Sequence, residues 1–131
     1  MGSLDYFISV RHETANAEES CLIVCLMGEI NKSSFGVIRL CQNDILAAKP
    51  TKVVFSFQYV TAIEQIAIPV LLHMQGLIRM HGIALRLCQM RSDIKKTLLL
   101  GAAICFEELR ESLSEAIQSF SVEKTIKKSS A

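Results

Sequence analysis

The spacing of apolar positions along the chain changes between that of strands and that of helices. Residues 5–11 alternate apolar with polar side chains, and residues 21–27 are apolar on both faces. Alternation predicts a half-exposed strand, whereas two apolar faces are typical of a central strand. The stretch 13–19 is polar and predicts a turn. We therefore expect the first two strands to form an antiparallel hairpin.

A helix and a third strand follow the hairpin. Asn31, Ser33 or Ser34 can cap the helix, whose apolar residues recur at helical spacing until Pro50 stops it. Residues 53–57 (Val-Val-Phe-Ser-Phe) form a β-rich run between polar residues, which predicts a strand.

The clearest helix begins between Gln65 and Ile68 and ends before Gly82. Pro69 fixes its start, because proline is tolerated in the first turn and breaks a helix further in. Its core-facing residues at helical spacing are Ala67, Val70, Leu71, Met74, Leu77 and Ile78.

The opposite side of this helix is also apolar, with a stripe of Ile68, Pro69, Leu72, Gly76 and Met80. A helix that is apolar on two sides is covered by something. The cover is either another element of the same fold or a binding partner, and both interpretations stay open. The start of the helix, with its unpaired amides, is also where an anion would bind.

The last third of the chain predicts a strand, two helices and one short edge strand. Residues 83–90 form the strand, residues 92–93 cap a helix that Gly101 ends, and residues 103–106 could form the edge strand. The sequence at 112–115 is a capping box that opens the last helix. The order β-β-α-β-α-β-α-(β)-α predicts an α/β domain whose sheet is mostly parallel after the hairpin.

Composition and charge narrow the function classes. A chain of 131 residues predicts one domain, and a net charge of +1 provides no field that would attract nucleic acid or an anionic membrane. The longest nearly apolar run, residues 98–106, is far shorter than the roughly 20 residues of a membrane-spanning helix. The N-terminus lacks the pattern of a signal peptide. We expect a cytoplasmic protein without membrane insertion or nucleic-acid binding.

Catalytic and metal-binding patterns are missing from the sequence. The five cysteines form no CxxC pair, and on one strand Cys21 and Cys25 would lie roughly 13 Å apart, too far for a disulfide. We interpret the cysteines as buried, reduced thiols. The histidines His12, His73 and His81 are scattered along the chain, so no metal, no cofactor and no enzymatic activity are expected.

Several segments match one known family in order and spacing. The strand end Gly28-Glu29-Ile30-Asn31 is similar to a Gly-Glu-Leu-Asp motif, and residues 53–57 are similar to a Val-Val-Leu-Asp-Leu strand. Residues 59–68 fall where that family carries an Asp-Ser-(Ser/Ala)-Gly-Leu signature. From about residue 5 to residue 120 the chain thus resembles the STAS family (sulfate transporter and anti-sigma factor antagonist).

The resemblance implies a central mixed sheet opened by an antiparallel hairpin, with about four helices mainly on one face. We expect this domain over residues 1–122 and a flexible basic tail over residues 123–131. In anti-sigma factor antagonists, a Ser or Thr is phosphorylated at the position where this chain has Gln65, and Glu64 replaces the preceding Asp. Glutamine has no hydroxyl, so it cannot gain the charge that phosphate adds. Thr61 is a weak alternative acceptor.

The function implied is a non-enzymatic protein-binding module in partner switching. The partner would be a serine-kinase-like anti-sigma factor or another signalling protein, and self-association into a homodimer is left open. The alternative is the small STAS subunit of a bacterial lipid-transport ABC complex, in which the same helix packs on the ATPase. The residues expected to bind the partner are Glu64, Gln65, Ile68, Pro69 and Leu72.

Overall fold

A five-stranded mixed sheet forms the centre of the protein in the computed structural model, which describes residues 3–12 and 20–120. Strand β1 is antiparallel to β2, and β2 to β5 are parallel, in the spatial order β1-β2-β3-β4-β5. The predicted hairpin and mostly parallel sheet are confirmed. The strands are β1 (Leu4–His12), β2 (Ser20–Ile30), β3 (Lys52–Ile63), β4 (Ala84–Cys88) and β5 (Leu109–Arg110).

Helices cover both faces of this sheet unequally. Helices α1 (Phe35–Ala48), α2 (Ile68–Met80) and α3 (Ser92–Leu100) share one core with the strand residues of one face. Helix α4 (residues 113–120) packs on alternate residues of the same strands and therefore on the opposite face. The expected four helices, mainly on one face, are confirmed.

Local sequence signals determine where the helices begin. A 3₁₀ turn, Lys32–Ser34, precedes α1, and the side chain of Asn31 caps it. A second 3₁₀ turn, Gln65–Ala67, precedes α2, and Pro69 lies in the first turn of that helix as predicted. The hydroxyl of Ser112 accepts a hydrogen bond of 3.0 Å from the amide of Glu115, as expected at the start of α4.

Three predictions need correction. Residues 103–106 are not a strand: residues 103–105 are irregular, Phe106–Glu108 is a 3₁₀ turn, and β5 begins at Leu109. The amide of Ala103 donates to the carbonyl of Leu98 at 2.8 Å, which turns the chain back on α3 instead of into the sheet.

The other two corrections concern element ends. Helix α3 has no side-chain cap, because Arg91 is the N-cap and residues 92–93 already lie in the helix. Strands β2 and β3 continue past their predicted ends to Ile30 and Ile63, since irregularities in their pairing let both strands stay paired there. The predicted turn at 13–19 and the basic tail at 123–131 lie outside the described residues.

Candidate functional site

Two strand-to-helix corners lie side by side at the end of the sheet where β2 and β3 terminate. Because these strands are parallel neighbours, their carboxyl ends lie next to each other, and each strand continues into a 3₁₀ turn. In the first corner, the side-chain oxygen of Asn31 accepts from the amide of Ser33, and the hydroxyl of Ser34 accepts from the amide of Asn31, both at 2.9 Å. In the second corner, the amide of Glu64 donates to the carbonyl of Ile30 at 2.8 Å. The side-chain bonds shape the first corner, and the backbone bond between Glu64 and Ile30 joins the two corners.

The second corner presents its polar side chains outward. Glu64 has extended backbone, and its side chain forms no capping hydrogen bond. Its carbonyl accepts from the amide of Ala67 at 3.1 Å, which closes the 3₁₀ turn. Glu64 and Gln65 are both exposed, so the corner is an accessible surface that offers one carboxylate and one neutral amide.

Helix α2 places the predicted binding residues differently from the expected stripe. Pro69 and Leu72 are exposed, Leu72 at 37%. Ile68, expected on the same surface, is 6% exposed, belongs to the core, and has its side chain against Gly101. Ile68 is therefore not available to a partner, and this part of the prediction is wrong. The apolar residue that does protrude from the corner is Ile66, at 56% exposure.

A groove of about 260 Å³ continues from this surface between α1 and α2. Its floor is mostly apolar, and Arg39 and His73 give it cationic or hydrogen-bonding groups. The residues that line it are Phe35, Ile38, Arg39, Gln42, Pro69, Val70 and His73. Because Pro69 belongs to both surfaces, the corner and the groove form one continuous area, which we call the corner surface.

The hydroxyls near Gln65 differ in accessibility. Thr61 is exposed on the last part of β3, three residues before Glu64. Ser56 is buried and donates a hydrogen bond of 2.6 Å to the side chain of Gln89. Thr61 is therefore open to a modifying enzyme, whereas Ser56 is not.

Among the residues that the structure describes, no group of three or more His, Cys, Asp or Glu side chains could hold a metal ion. Burial raises the pKa of the Cys41 and Cys88 thiols to about 12 and also raises the pKa of Cys25. A raised pKa keeps a thiol protonated and unreactive. Cys105 is exposed, so the prediction that all five cysteines are buried is wrong at this position.

Sequence reasoning missed two parts of the corner surface. Ile66 was not singled out, although an isoleucine between a polar corner and a helix start is a recognisable signal. Arg39 and the rest of α1 were interpreted as helix only, because their proximity to α2 is a tertiary relationship that spacing does not reveal. Within the described ranges, no helix combines the length and apolar character needed to cross a lipid bilayer.

One of the comparisons with known proteins identifies a family. The family model of the STAS domain matches residues 13–116. No curated protein sequence matches the chain. Among solved structures, an anti-sigma factor antagonist from Mycobacterium paratuberculosis has a TM-score of 0.72 at 14% identity, covering 89% of this chain and 93% of that chain.

Two further structures extend this likeness of fold. The Bacillus cell fate determinant SpoIIAA in its phosphorylated form has a TM-score of 0.59 at 14% identity, with 86% of this chain and 97% of that chain covered. SLC26A9 has a TM-score of 0.71 at 8% identity, covering 95% of this chain and 25% of that chain. The fold thus occurs both as nearly a whole chain and as a quarter of a larger protein.

Proposed function

Because the chain belongs to the STAS domain family, we propose that it is a non-enzymatic protein-binding module of partner-switching signalling that docks through the corner surface. Structural similarity to an anti-sigma factor antagonist supports the class of function. The proposed docking site depends on one observation: the side chain of Ile66 is 56% exposed and lies directly beside the uncharged Gln65 in the sequence. The partner we expect is a serine-kinase-like signalling protein, and the place of action is the cytoplasm.

Apolar anchors distinguish this surface from an ordinary polar corner. Ile66, Pro69 and Leu72 are exposed, and the mostly apolar groove between α1 and α2 adjoins them. Burial of apolar area on binding contributes about 25 cal/mol per Å², and a few well-buried side chains carry most of the affinity of an interface. Glu64 and Arg39 at the margins would orient the partner through charge.

Gln65 determines which kind of regulation this surface permits. Its side-chain amide can donate and accept neutral hydrogen bonds, but it cannot form a phosphoester. Binding at this position is therefore constitutive in our proposal, and any switching lies elsewhere. Thr61 is the candidate for such a switch, because its hydroxyl is exposed and lies close to the corner along the chain.

The test is affinity capture with a two-site variant. Tagged wild-type chain should recover a kinase-like partner from the source cell, and the variant Q65R/L72D should bind that purified partner at least about tenfold more weakly. The matched control is M80D/Q118R, which makes similar changes at two exposed positions away from the corner. Thermal unfolding of both variants checks that they fold.

The identity of the captured protein and the effect of the variant separate the outcomes. Unchanged binding by Q65R/L72D would refute docking at the corner surface. Capture of an ABC ATPase together with a permease would refute the signalling role and assign the chain to a lipid-transport complex.

A further inference from the structure

The free side of β1 is an open edge of the sheet. Among the described residues no strand pairs with β1 on the side opposite β2. The amide of Tyr6 donates to the Asp5 carboxylate at 2.8 Å, so this amide points away from β2. In an antiparallel strand such outward groups alternate, and the outward set therefore includes the amides and carbonyls of Ile8 and Val10. Edge groups of this kind are a template for another strand.

Exposed apolar side chains accompany this edge on both faces of the sheet. Val10 is 54% exposed on the face that carries Tyr6 and Ile8, and Phe7 is 53% exposed on the other face. Leu40, 60% exposed, lies one helical turn before Asp44, which contacts Tyr6 of the same edge. Among the described residues, the edge is therefore a strip of backbone without a partner strand, and apolar side chains lie on both of its faces.

We propose that β1 pairs antiparallel with β1 of a second copy of the chain, centred on Ile8, to form a symmetric homodimer with a continuous ten-stranded sheet. In this register Asp5 lies opposite Arg11 of the second copy, and Arg11 opposite its Asp5. Tyr6 lies opposite Val10, and Phe7 opposite Ser9. The surface is separate from the corner surface, so this proposal does not depend on the proposed function.

Charge complementarity selects this register. In an antiparallel pair, residues directly opposite one another have their side chains on the same face of the sheet, and along one strand only every second residue shares a face. In a symmetric pair of two β1 strands, opposite residues therefore differ by an even number of positions, so the two-fold axis passes through a residue and not between two residues. Centring on Phe7 would place Asp5 opposite Ser9, and centring on Ser9 would place Asp5 opposite position 13, which lies outside the described residues. Of these three neighbouring registers, the one centred on Ile8 pairs Asp5 with Arg11, and it does so twice.

Backbone geometry agrees with the same register. The outward groups of Tyr6 would bond with those of Val10, which makes Asp5 and Arg11 a non-hydrogen-bonded pair, where opposite side chains come closest. On association, the Asp5 carboxylate exchanges its hydrogen bond with the Tyr6 amide for an ion pair with the guanidinium of Arg11 in the second copy. The freed Tyr6 amide then donates to the carbonyl of Val10 in that copy. The ring of Tyr6 then covers the exposed side chain of Val10, an aromatic and β-branched pair that stabilises sheets.

The test uses charge reversal in two separate chains. In the proposed register, D5R places two like positive charges opposite each other at both crossings, and R11D places two negative charges there. Each variant should self-associate about tenfold or more weakly than wild type. An equimolar mixture should form a heterodimer, because the two chains complement each other, and the double variant D5R/R11D should self-associate again. The control E107R applies the same reversal at an exposed carboxylate outside β1 and should leave association unchanged.

Sedimentation velocity from micromolar to submillimolar concentrations provides the readout. Dimer formation by wild type, its loss in each single variant and its return in the mixture would support the pairing. A monomeric wild type over this range would overturn the proposal, as would single variants that dimerise like wild type or a mixture that stays monomeric. Restoration by mixing also shows that the variants fold, and none of these outcomes bears on binding at the corner surface.

Discussion

The hydroxyl of Tyr6 on β1 donates a hydrogen bond of 2.5 Å to a carboxylate oxygen of Asp44 on α1. This bond joins the edge strand to the first helix across 38 positions of sequence. Together with burial and the negative charge of Asp44, it raises the pKa of Tyr6 from its ordinary value of 10.0 to about 12. The protonated phenol is therefore favoured in the folded state.

The first prediction concerns stability at alkaline pH. Because the pKa of Tyr6 is higher in the folded than in the unfolded chain, its contribution to stability is complete below pH 10 and is lost as the pH rises to about 12. Tyr6→Phe should lower the free energy of unfolding by about 0.5–1.5 kcal/mol at neutral pH. It should also flatten the decline in stability between these two pH values.

Tyr59→Phe is the matched control, because Tyr59 is the second of the two tyrosines and is 55% exposed. It leaves Tyr6 as the single titrating phenol, so the ultraviolet absorbance of the phenolate reports its pKa directly. A midpoint near 10 in the folded Tyr59→Phe variant would contradict the role assigned to the Tyr6–Asp44 bond.

The second prediction concerns Gly28, opposite Leu4 in the hairpin. Its φ is +103°, and a Cβ at this position would lie 2.0 Å from the carbonyl oxygen of Ser3. That neighbour is backbone and cannot move away cheaply, so Gly28→Ala should destabilise the protein by about 2 kcal/mol or more. Urea unfolding at equilibrium measures the difference.

Gly76→Ala is the control for this substitution. Gly76 lies within α2, and a Cβ there would meet nothing within 4 Å. Alanine is favoured over glycine inside a helix, so this variant should be more stable by up to about 1 kcal/mol. If both substitutions changed the free energy of unfolding equally, the close approach of the Ser3 carbonyl would not be the reason why position 28 requires glycine.

The sequence predicted the starts of α1, α2 and α4 because their signals are local. The capping side chain of Asn31, the first-turn position of Pro69 and the Ser112 cap act within three or four residues, so spacing alone reveals them. The same holds for the alternation that separates β1 from the central strand β2. The features that were predicted well are those that depend on interactions between residues close together in the sequence.

The phase of α2 was predicted less well, and one buried polar residue explains why. Ile68, Leu71, Gln75 and Ile78 are spaced i, i+3, i+7 and i+10 and are all buried. Leu71 and Ile78 are predicted to face the core, but the polar Gln75 between them hides the fact that Ile68 belongs to the same face, and Ile68 is therefore expected on the exposed side. A buried Gln needs partners from distant parts of the chain, and periodicity does not show them.

The third prediction concerns Gln65. If only its missing hydroxyl prevents phosphorylation at the corner, Gln65→Ser should gain about 80 Da in intact mass when incubated with the kinase partner and ATP, whereas wild type should not. Gln65→Asn is the control, because it retains an uncharged amide. A gain in wild type that Thr61→Ala abolishes would place an acceptor at Thr61, the candidate switch, whereas a Gln65→Ser variant that gains no mass would contradict the prediction.

The last prediction concerns the buried Gln75. Its amide nitrogen donates to the carbonyl of Ala103 at 3.2 Å, and its oxygen accepts from Arg79 at 3.1 Å. Arg79 in turn makes two hydrogen bonds to the carboxylate of Glu108, at 2.9 and 2.6 Å, which raise its pKa. The glutamine therefore ties α2 to the connection between α3 and β5, where the sequence had predicted a strand.

Gln75→Met keeps the approximate volume but removes both bonds and leaves the Ala103 carbonyl without this donor, so it should cost about 1–3 kcal/mol. Relative to wild type, hydrogen exchange should accelerate more in residues 103–110 than in β2 and β3, because local opening of this segment no longer has to break these bonds. Glu108→Gln should have a smaller effect, because Arg79 is partly exposed and such ion pairs contribute about 1 kcal/mol or less. Gln118→Met, at an exposed position of α4, controls for the side-chain exchange. A Gln75→Met variant as stable as wild type would mean that packing alone, without the glutamine bonds, holds this connection against α2.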